Sequence, residues 1–304
     1  MEDERDDELA ELLAEVRRIE VQANRLVRGV MAGGYSSVFR GAGIEFDEVR
    51  EYVPGDDPRS VDWNVTARVG RPFVKKYVDE RELTVMFLLD VSASTRCGFG
   101  TWSMRQAAAR ICACLAMSAV RNDDKVGLIA FSSRVEHHVP PQKGAGHALR
   151  IVRDCLALRG EEPGTDLRAP LDFVGRVLRR KSILFLVSDF LTPGFERELG
   201  LCARRHDLIA VRLQAPELAA PDARLVRFRD PESGAARVVD WSCPRTRAGY
   251  EERVATWRAQ TADILRRVGV DLMDVRVPRD PGRDGIAKPI LEFFRMRELR
   301  GEKR

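Results

Sequence analysis

Two stretches of the sequence are apolar at almost every position and rich in β-branched and aromatic residues, and each ends in an aspartate. They are residues 83–90 and 182–189. A strand with one face in water alternates apolar and polar residues, whereas a strand buried on both faces is continuously apolar. Such strands are typical of parallel sheets that helices cover on both sides, so these stretches predict the centre of an α/β domain.

Helical and strand-like patterns alternate along the chain from residue 82 onward. Helices are predicted near residues 102–120, 145–158, 166–180, 195–205 and 247–268, and strands at 125–131, 134–139, 207–213, 236–241 and 270–277. Repeated β-α units joined by right-handed crossovers give a doubly wound, mostly parallel sheet of the Rossmann-like kind. The last predicted strand favours the interpretation that residues 216–304 complete this sheet rather than form a separate cap.

Two segments precede this alternation. Apolar residues at helical spacing between Leu9 and Val30 predict one amphipathic helix, whose apolar side either packs on its own domain or docks on a partner. Residues 35–80 contain short β-type runs separated by Gly, Pro and Asp, which predict a small β-rich arm with a turn at residues 54–57. The predicted units are an acidic helix at 1–32, the arm at 33–81, the α/β domain at 82–280, and a C-terminal helix and tail at 281–304.

The composition favours a folded protein of the cytoplasm. Of the 304 residues, 44% are hydrophobic and 32% are charged. The longest nearly apolar stretch, residues 111–120, is far shorter than the roughly 20 residues that cross a bilayer, and the acidic start is unlike a signal peptide. Six cysteines without a C-x-x-C pair are expected to be reduced rather than zinc ligands or disulfides. The arginines are scattered without interleaved aromatics, which disfavours a nucleic-acid groove.

Carboxylate and hydroxyl side chains follow the two buried strands. Asp90, Ser92 and Ser94 stand at alternate positions after the first strand, Asp189 ends the second, and Thr165 lies in an intervening Gly-Thr-Asp-Leu loop. Taken singly, each is also an ordinary turn or helix-capping residue. Because ligands bind beyond the carboxyl ends of parallel strands, we expect these oxygens to converge there. Oxygen ligands from three loops are what Mg²⁺ or Mn²⁺ selects, and five of them leave room for one outside oxygen.

This ordered set resembles the metal-ion-dependent adhesion site of von Willebrand factor A domains, over about residues 82–215. The resemblance implies that Ser92 and Ser94 bind the metal directly, and that Thr165 does so in the ligand-ready state. It implies that Asp90 and Asp189 bind the metal directly or through water. In that family the sixth position is typically filled by a carboxylate of the bound partner.

The arm carries a second resemblance. Residues 41–68 and 74–81 look like the signature of the bacterial domain-of-unknown-function family fifty-eight (DUF58). The first of these ranges contains the runs Val53-Pro-Gly-Asp-Asp-Pro-Arg59 and Val61-Asp-Trp63. Members carry a von Willebrand A-like domain and are commonly encoded beside AAA+ ATPases of the MoxR type. The resemblance therefore implies such an ATPase, or its client protein, as a partner. Many relatives carry membrane helices ahead of the arm, where this chain has the acidic helix.

The polar residues of the arm allow two interpretations. The residues concerned are Asp56, Asp57, Arg59, Asp62 and Arg68. They could form an internal ion-pair network that fixes the arm to the sheet, with Trp63 as a packing anchor. Alternatively, they form a surface that recognises a partner.

Three functions compete on this evidence. A metal-dependent protein-interaction module without enzymatic activity is favoured, because the metal would neutralise an incoming acid that a bare carboxylate pair would repel. The alternative is a metal-dependent hydrolase, a phosphatase of the haloacid dehalogenase type with Asp90 as nucleophile. That chemistry needs a second carboxylate two positions later, where this chain has Ser92. Nucleic-acid binding through the basic body is the weakest of the three.

Overall fold

The computed structural model of the protein describes residues 2–29, 45–54, 56–57, 60–78, 82–98, 100–280 and 286–301. The strands are β1 (Glu45–Glu51), β2 (Phe73–Val78), β3 (Thr84–Asp90), β4 (Lys125–Phe131), β5 (Val135–Gln142), β6 (Ile183–Ser188), β7 (Asp207–Gln214), β8 (Leu225–Arg229), β9 (Ala236–Asp240) and β10 (Asp271–Arg276). The helices are α1 (Glu2–Gly29), α2 (Trp63–Val69), α3 (Met104–Arg121), α4 (Ala145–Ala157), α5 (Arg168–Val177), α6 (Glu196–Arg205), α7 (Pro244–Arg267) and α8 (Ala287–Gly301), with 3₁₀ turns at Ala93–Arg96 and Pro216–Leu218.

The main sheet has six strands in the spatial order β10-β7-β6-β3-β4-β5. All neighbours run parallel except β4 and β5, which pair antiparallel. Strands β4 and β5 lie on one side of β3 in the sheet, and β6, β7 and β10 lie on the other side. The predicted doubly wound, mostly parallel α/β fold is therefore confirmed, and its topological switch point lies between β3 and β6.

Strand β3 contributes side chains to both cores of the molecule, which explains why it is continuously apolar. Val85, Phe87 and Leu89 face a core shared with α1, α3, α4 and α8. Met86 and Leu88 face a second core shared with α5, α6 and α7. Burying each large apolar side chain contributes roughly 1.5–3 kcal/mol to the stability of the fold. The buried side chains of β3 and of the fully buried β6 therefore hold the helices of both layers against the sheet.

Helix α1 packs on its own domain. Four residues of its apolar side are buried in the first core: Val16, Ile19, Ala23 and Val27. Glu15 forms an ion pair with Arg110 of α3, whose guanidinium lies 4.2 Å from the centre of the Trp102 ring. Of the two interpretations of the apolar side, the structure therefore supports packing within the chain. The helix ends at Gly29, and the expected stop at residues 33–34 lies outside the described residues.

The arm is a two-stranded antiparallel sheet with a helix between its strands. Residues 61–63 were expected to be strand-like, but α2 begins at Trp63. The Asp62 carboxylate accepts hydrogen bonds from the amides of Asn64 (2.9 Å) and Val65 (3.3 Å), and Gly70 ends the helix at φ 74°. This end-capping outweighs the strand propensity of the β-branched residues. Trp63 is 73% exposed, so its expected role as a packing anchor is wrong.

Asp56, one of the charged residues expected to form a network in the arm, pairs with a residue outside that set. Asp56 forms a two-pronged ion pair with Arg50 of β1, with nitrogen to oxygen distances of 2.6 and 2.9 Å. The Asp56 amide donates to the Val53 carbonyl at 3.0 Å, which closes the predicted turn. Hydrogen bonds from Arg50 and from the Val53 amide lower the pKa of the Asp56 carboxyl. Asp62 caps a helix, and Arg59 lies outside the described residues.

The last third of the chain both completes the sheet and adds a hairpin. Strand β10 pairs with β7 at the edge of the main sheet, as the strand pattern at 270–277 indicated. The strand expected at 236–241 instead pairs with β8, which the sequence did not reveal. Trp241, at the end of this hairpin, is buried against the rings of Phe228 and Tyr250, with centroids 5.7 and 5.1 Å apart. Within the described ranges, no helix is long and apolar enough to cross a bilayer.

Candidate functional site

The predicted site lies at the switch point, where β3 and β6 end side by side. Asp90 is the last residue of β3, and Ser92 and Ser94 follow it on the 3₁₀ turn. Asp189 follows Ser188 at the end of β6. Asp90 is 1% exposed and Asp189 is 4% exposed, so both carboxyl groups are removed from bulk water.

Asp90 is held by hydrogen bonds to both of its oxygens. Its Oδ1 accepts from the Ser92 amide at 3.0 Å, and its Oδ2 accepts from the Ser188 hydroxyl at 2.7 Å. Burial raises the pKa of this carboxyl, and the hydrogen bonds from Ser92 and Ser188 oppose that rise. Asp90 is therefore fixed in position and already has partners for its two oxygens.

Hydroxyl groups connect the two loops. The Oγ atoms of Ser92 and Ser94 lie 3.1 Å apart at hydrogen-bond distance, and Ser94 Oγ donates to Asp189 Oδ2 at 3.2 Å. The other oxygen of Asp189 accepts from the Leu191 amide at 3.0 Å. The structure therefore brings four of the five predicted residues into one connected cluster.

Thr165, the fifth residue, lies on a neighbouring loop. This loop is attached by the Gly160 amide, which donates to the Val91 carbonyl at 2.9 Å, and by the Asp166 amide, which donates to the Ser132 carbonyl at 2.9 Å. Thr165 is half-buried between these attachments. Across the described parts of the chain, the hydrogen bonds that join the other four residues do not include its hydroxyl.

The backbone beside Asp189 adopts an unusual conformation. Phe190 has φ 58°, which is rare for a residue other than glycine, and its side chain is buried. Its amide donates to Ser188 Oγ at 3.2 Å, and its carbonyl accepts from the indole of Trp257 on α7 at 3.1 Å. Such strain persists only where neighbouring contacts hold it, and it clusters at binding sites. Here it lies next to Asp189, which accepts a hydrogen bond from Ser94.

A third carboxylate, which sequence reasoning missed, reaches the cluster from the tip of the β8–β9 hairpin. Glu232 Oε1 accepts from the Ser94 amide at 2.9 Å, and Oε2 accepts from the Gly164 amide at 2.7 Å. The Asp-Pro-Glu-Ser-Gly run at 230–234 does signal a turn. Nothing local, however, indicates that this turn contacts a loop 138 residues away.

The buried carboxyl of Asp189 has a raised pKa. Burial first, and then the charge of Asp90, raise the pKa of Asp189 to about 6, and Glu232 adds to the rise. Two buried carboxylates near a third are unfavourable as anions unless positive charge offsets them. This surplus of negative charge suits a cation at the cluster.

Arg105 supports the 3₁₀ turn that carries Ser94. Sequence reasoning did not single out this residue either. It is buried on α3, where its Nη2 donates to Thr95 Oγ1 at 2.8 Å and its Nη1 donates to the Leu158 carbonyl. Thr95 in turn donates to the Ser92 carbonyl at 2.8 Å. Burial lowers the pKa of Arg105 to about 10, which the charge of Asp90 opposes. The guanidinium therefore remains a cation beside the acids.

The oxygen atoms fit a hard divalent cation by their chemistry. The cluster offers carboxylate and hydroxyl oxygens, which Mg²⁺ and Mn²⁺ prefer. In the described residues, no three His, Cys, Asp or Glu side chains group as ligands of one ion. A site of two aspartates completed by hydroxyls does not require such a group. The donor set therefore fits the ion that the sequence pattern implied.

Comparison with known proteins identifies the family. Residues 48–260 match the sequence model of the family described as "Protein of unknown function DUF58". The chain belongs to the DUF58 family. This match begins in the arm and extends into α7, so the family's characteristic sequence includes the site and the hairpin.

Relatives of this DUF58 protein occur in mycobacteria. An uncharacterized protein of Mycobacterium tuberculosis is 30% identical over 273 residues, which cover 88% of this chain and 86% of the relative. An uncharacterized protein of Mycobacterium avium is 31% identical over 146 residues, which cover 47% of this chain and 86% of the relative.

Solved structures that are similar to this DUF58 protein include the following two. BatB of Bacteroides thetaiotaomicron, described as a conserved hypothetical protein, aligns with a TM-score of 0.44 at 16% identity and covers 70% of this chain and 99% of its own. The von Willebrand A domain of SpRpn10 aligns with a TM-score of 0.35 at 12% identity and covers 44% of this chain and 76% of its own.

Proposed function

We propose that this DUF58 protein is a protein-interaction module whose site holds Mg²⁺ or Mn²⁺ and binds an acidic side chain of a partner. The five proposed ligands are Asp90, Ser92, Ser94, Thr165 and Asp189. The observation that carries the proposal is the connected cluster of two buried aspartates and two serines at the switch point of the sheet. Ligands of open α/β sheets bind at this position.

Neighbouring groups hold the two aspartates that we propose as ligands. The Ser92 amide and the Ser188 hydroxyl orient Asp90, and the Leu191 amide orients Asp189. When bound, the cation would offset the buried negative charge and attract one further carboxylate. We assign Thr165 to the ligand-ready form of the site, because its loop is already fastened beside the cluster.

The residue two positions after Asp90 favours binding over hydrolysis. Each oxygen of Asp90 accepts one hydrogen bond and keeps a second lone pair, which the proposed cation could use. Ser92, which occupies the position of the general acid in the phosphatase alternative, cannot supply a carboxylic proton. We therefore place this chain among binding proteins.

We further propose that the partner is an AAA+ ATPase of the MoxR type or the client of such an ATPase. Membership of the DUF58 family supports this choice, since genes of this family commonly neighbour genes of these ATPases. In this arrangement the module would present an acidic client to the ATPase, or would bind an acidic side chain of the ATPase itself.

Calorimetric titration with MnCl₂ or MgCl₂ tests the metal site. We expect the wild-type protein to bind one ion and Asp90→Ala to lose this binding, by at least about tenfold in affinity. Asp172→Ala is the matched control, because it removes an exposed carboxylate on α5 outside the cluster. Equal affinity in Asp90→Ala and Asp172→Ala would contradict the proposed site.

Affinity purification tests the partner. The wild-type protein is expected to retain a co-expressed MoxR-type ATPase in Mg²⁺, whereas Asp90→Ala retains it at least about tenfold less. EDTA would also strip Mg²⁺ from the nucleotide of the ATPase, so the decisive comparison is between variants in Mg²⁺. Equal retention by both variants would show that the ATPase binds elsewhere, and no retention in any nucleotide state would contradict the partner.

A further inference from the structure

The Glu232 carboxylate, at the tip of the β8–β9 hairpin, accepts hydrogen bonds from two backbone amides at the site. Ser94 and Gly164 belong to different loops, and each donates its amide to a different oxygen of Glu232, at 2.9 and 2.7 Å. Hydrogen bonds from amides to a charged carboxylate are stronger than those between neutral groups. The two amides together therefore match the shape and charge of a single carboxylate.

This carboxylate is held against electrostatic repulsion. Asp189 lies on the same cluster, and Ser94 donates to both acids: its amide donates to Glu232 and its hydroxyl donates to Asp189. The charge of Glu232 contributes to the raised pKa of Asp189, which indicates that the two acids interact. An acid that is kept close to another acid needs dedicated donors, and the two amides supply them.

The tip is organised to present Glu232. Asp230 Oδ1 accepts from the Glu232 amide at 3.0 Å, and the Asp230 carbonyl accepts from the Gly234 amide at 2.8 Å. Gly234 has φ 71°, a conformation that favours glycine. Contacts within the tip therefore hold the backbone at Glu232 in a turn.

The strands of the hairpin are mostly exposed. Leu225 and Val238, on paired strands, are 63% and 61% exposed. The described contacts that fix the hairpin are the buried Trp241 at its base and Glu232 at its tip. The tip is consequently held to the site by few interactions, and releasing Glu232 leaves the hairpin anchored at its base.

We propose that the Ser94 and Gly164 amides form a binding pocket for a carboxylate, that Glu232 of the same chain occupies this pocket, and that an acidic side chain of a partner protein binds by displacing Glu232. This inference rests on the proposed function, since the acid that displaces Glu232 would be the one that the bound cation attracts. The apparent dissociation constant would then equal the intrinsic one divided by the fraction of molecules in which the hairpin is undocked. A hairpin docked about nine-tenths of the time weakens apparent affinity about tenfold.

Amide hydrogen exchange tests the internal contact. In EDTA, Glu232→Ala is expected to exchange the amides of Ser94 and Gly164 at least about tenfold faster than the wild type, because each loses its acceptor. Asp222→Ala removes an exposed carboxylate just before the hairpin and is the matched control. Glu232→Gln, which keeps one acceptor oxygen, should give an intermediate rate and serves if the alanine variant fails to fold. Unchanged exchange in both Glu232 variants would overturn the inference.

Binding of a capped Gly-Gly-Glu-Gly-Gly peptide tests the pocket, with the Gln peptide as its control. In Mg²⁺, the Glu peptide should shift the amide resonances of Ser94 and Gly164 and bind Glu232→Ala about tenfold more tightly than the wild type. If exchange accelerates but the Glu peptide binds no better than the Gln peptide, the pocket is contradicted. The exchange experiment is done without metal. It therefore tests the contact of Glu232 with the two amides even if the protein binds no metal.

Discussion

Replacing Arg105 by methionine is expected to lower the free energy of unfolding by about 3 kcal/mol. The guanidinium is buried and donates to Thr95 Oγ1 and to the Leu158 carbonyl, and its charge lies near Asp90. Methionine fills a similar volume but leaves both oxygens without this donor and Asp90 without a nearby cation. Urea unfolding of both proteins measures the difference.

Two control variants separate this effect from a general loss of positive charge. Arg96→Met removes an exposed arginine on the same turn and should change the free energy of unfolding by no more than about 0.5 kcal/mol. Arg105→Lys keeps the charge but reaches fewer acceptors, so it should fall between the wild type and Arg105→Met. If Arg105→Met is as stable as Arg96→Met, the guanidinium does not support the turn.

Replacing Asp189 by asparagine is expected to change stability in opposite directions with and without metal. In EDTA at about pH 8, the variant should be more stable by about 2 kcal/mol, because it removes a buried charge that burial and Asp90 both disfavour. At Mg²⁺ concentrations about 100-fold above the dissociation constant, the wild type should gain about 2.7 kcal/mol through linkage, whereas the variant should gain little. Urea unfolding in the two buffers measures both differences.

The order of the two proteins should therefore reverse between EDTA and Mg²⁺. Asp172→Asn, an exposed site on α5, should behave as the wild type in both buffers. A variant that is less stable than the wild type in EDTA would mean that Asp189 is a structural hydrogen-bond acceptor whose charge the fold tolerates. A variant that still gains stability from Mg²⁺ would remove Asp189 from the ligand set.

The central sheet could be predicted because its signal is local. Continuous burial of β3 and β6 leaves an apolar sequence whatever surrounds them, and parallel strands place the residues at their carboxyl ends along one edge. Four of the five predicted site residues were brought together for this reason. Thr165 is not at the end of a buried strand but on an intervening loop, and this loop lies beside the cluster without joining its hydrogen bonds.

Other features depend on contacts that no local pattern contains. The helix that begins at Trp63 is decided by the capping carboxylate of Asp62, which competes with β-branched residues that favour a strand. Arg105 lies in the first turn of a mostly apolar helix, and the sequence does not reveal which acceptors its guanidinium reaches. The sequence around Glu232 predicts a turn but does not predict what the turn contacts. The direction in which the turn projects depends on the packing of Trp241 at the base of the hairpin.

The positions of these residues along the chain also set the order in which the ribosome delivers them. Asp90 and its neighbouring serines emerge first, Gly164 and Asp189 come next, and Glu232 emerges after all of them. The acid that covers the pocket is therefore made later than both loops that receive it. Both cores of the domain also contain residues from α7, β10 or α8, which are made later still. The two loops therefore reach their final positions only in a chain that already contains Glu232, so a partner would have to compete with the hairpin from the outset.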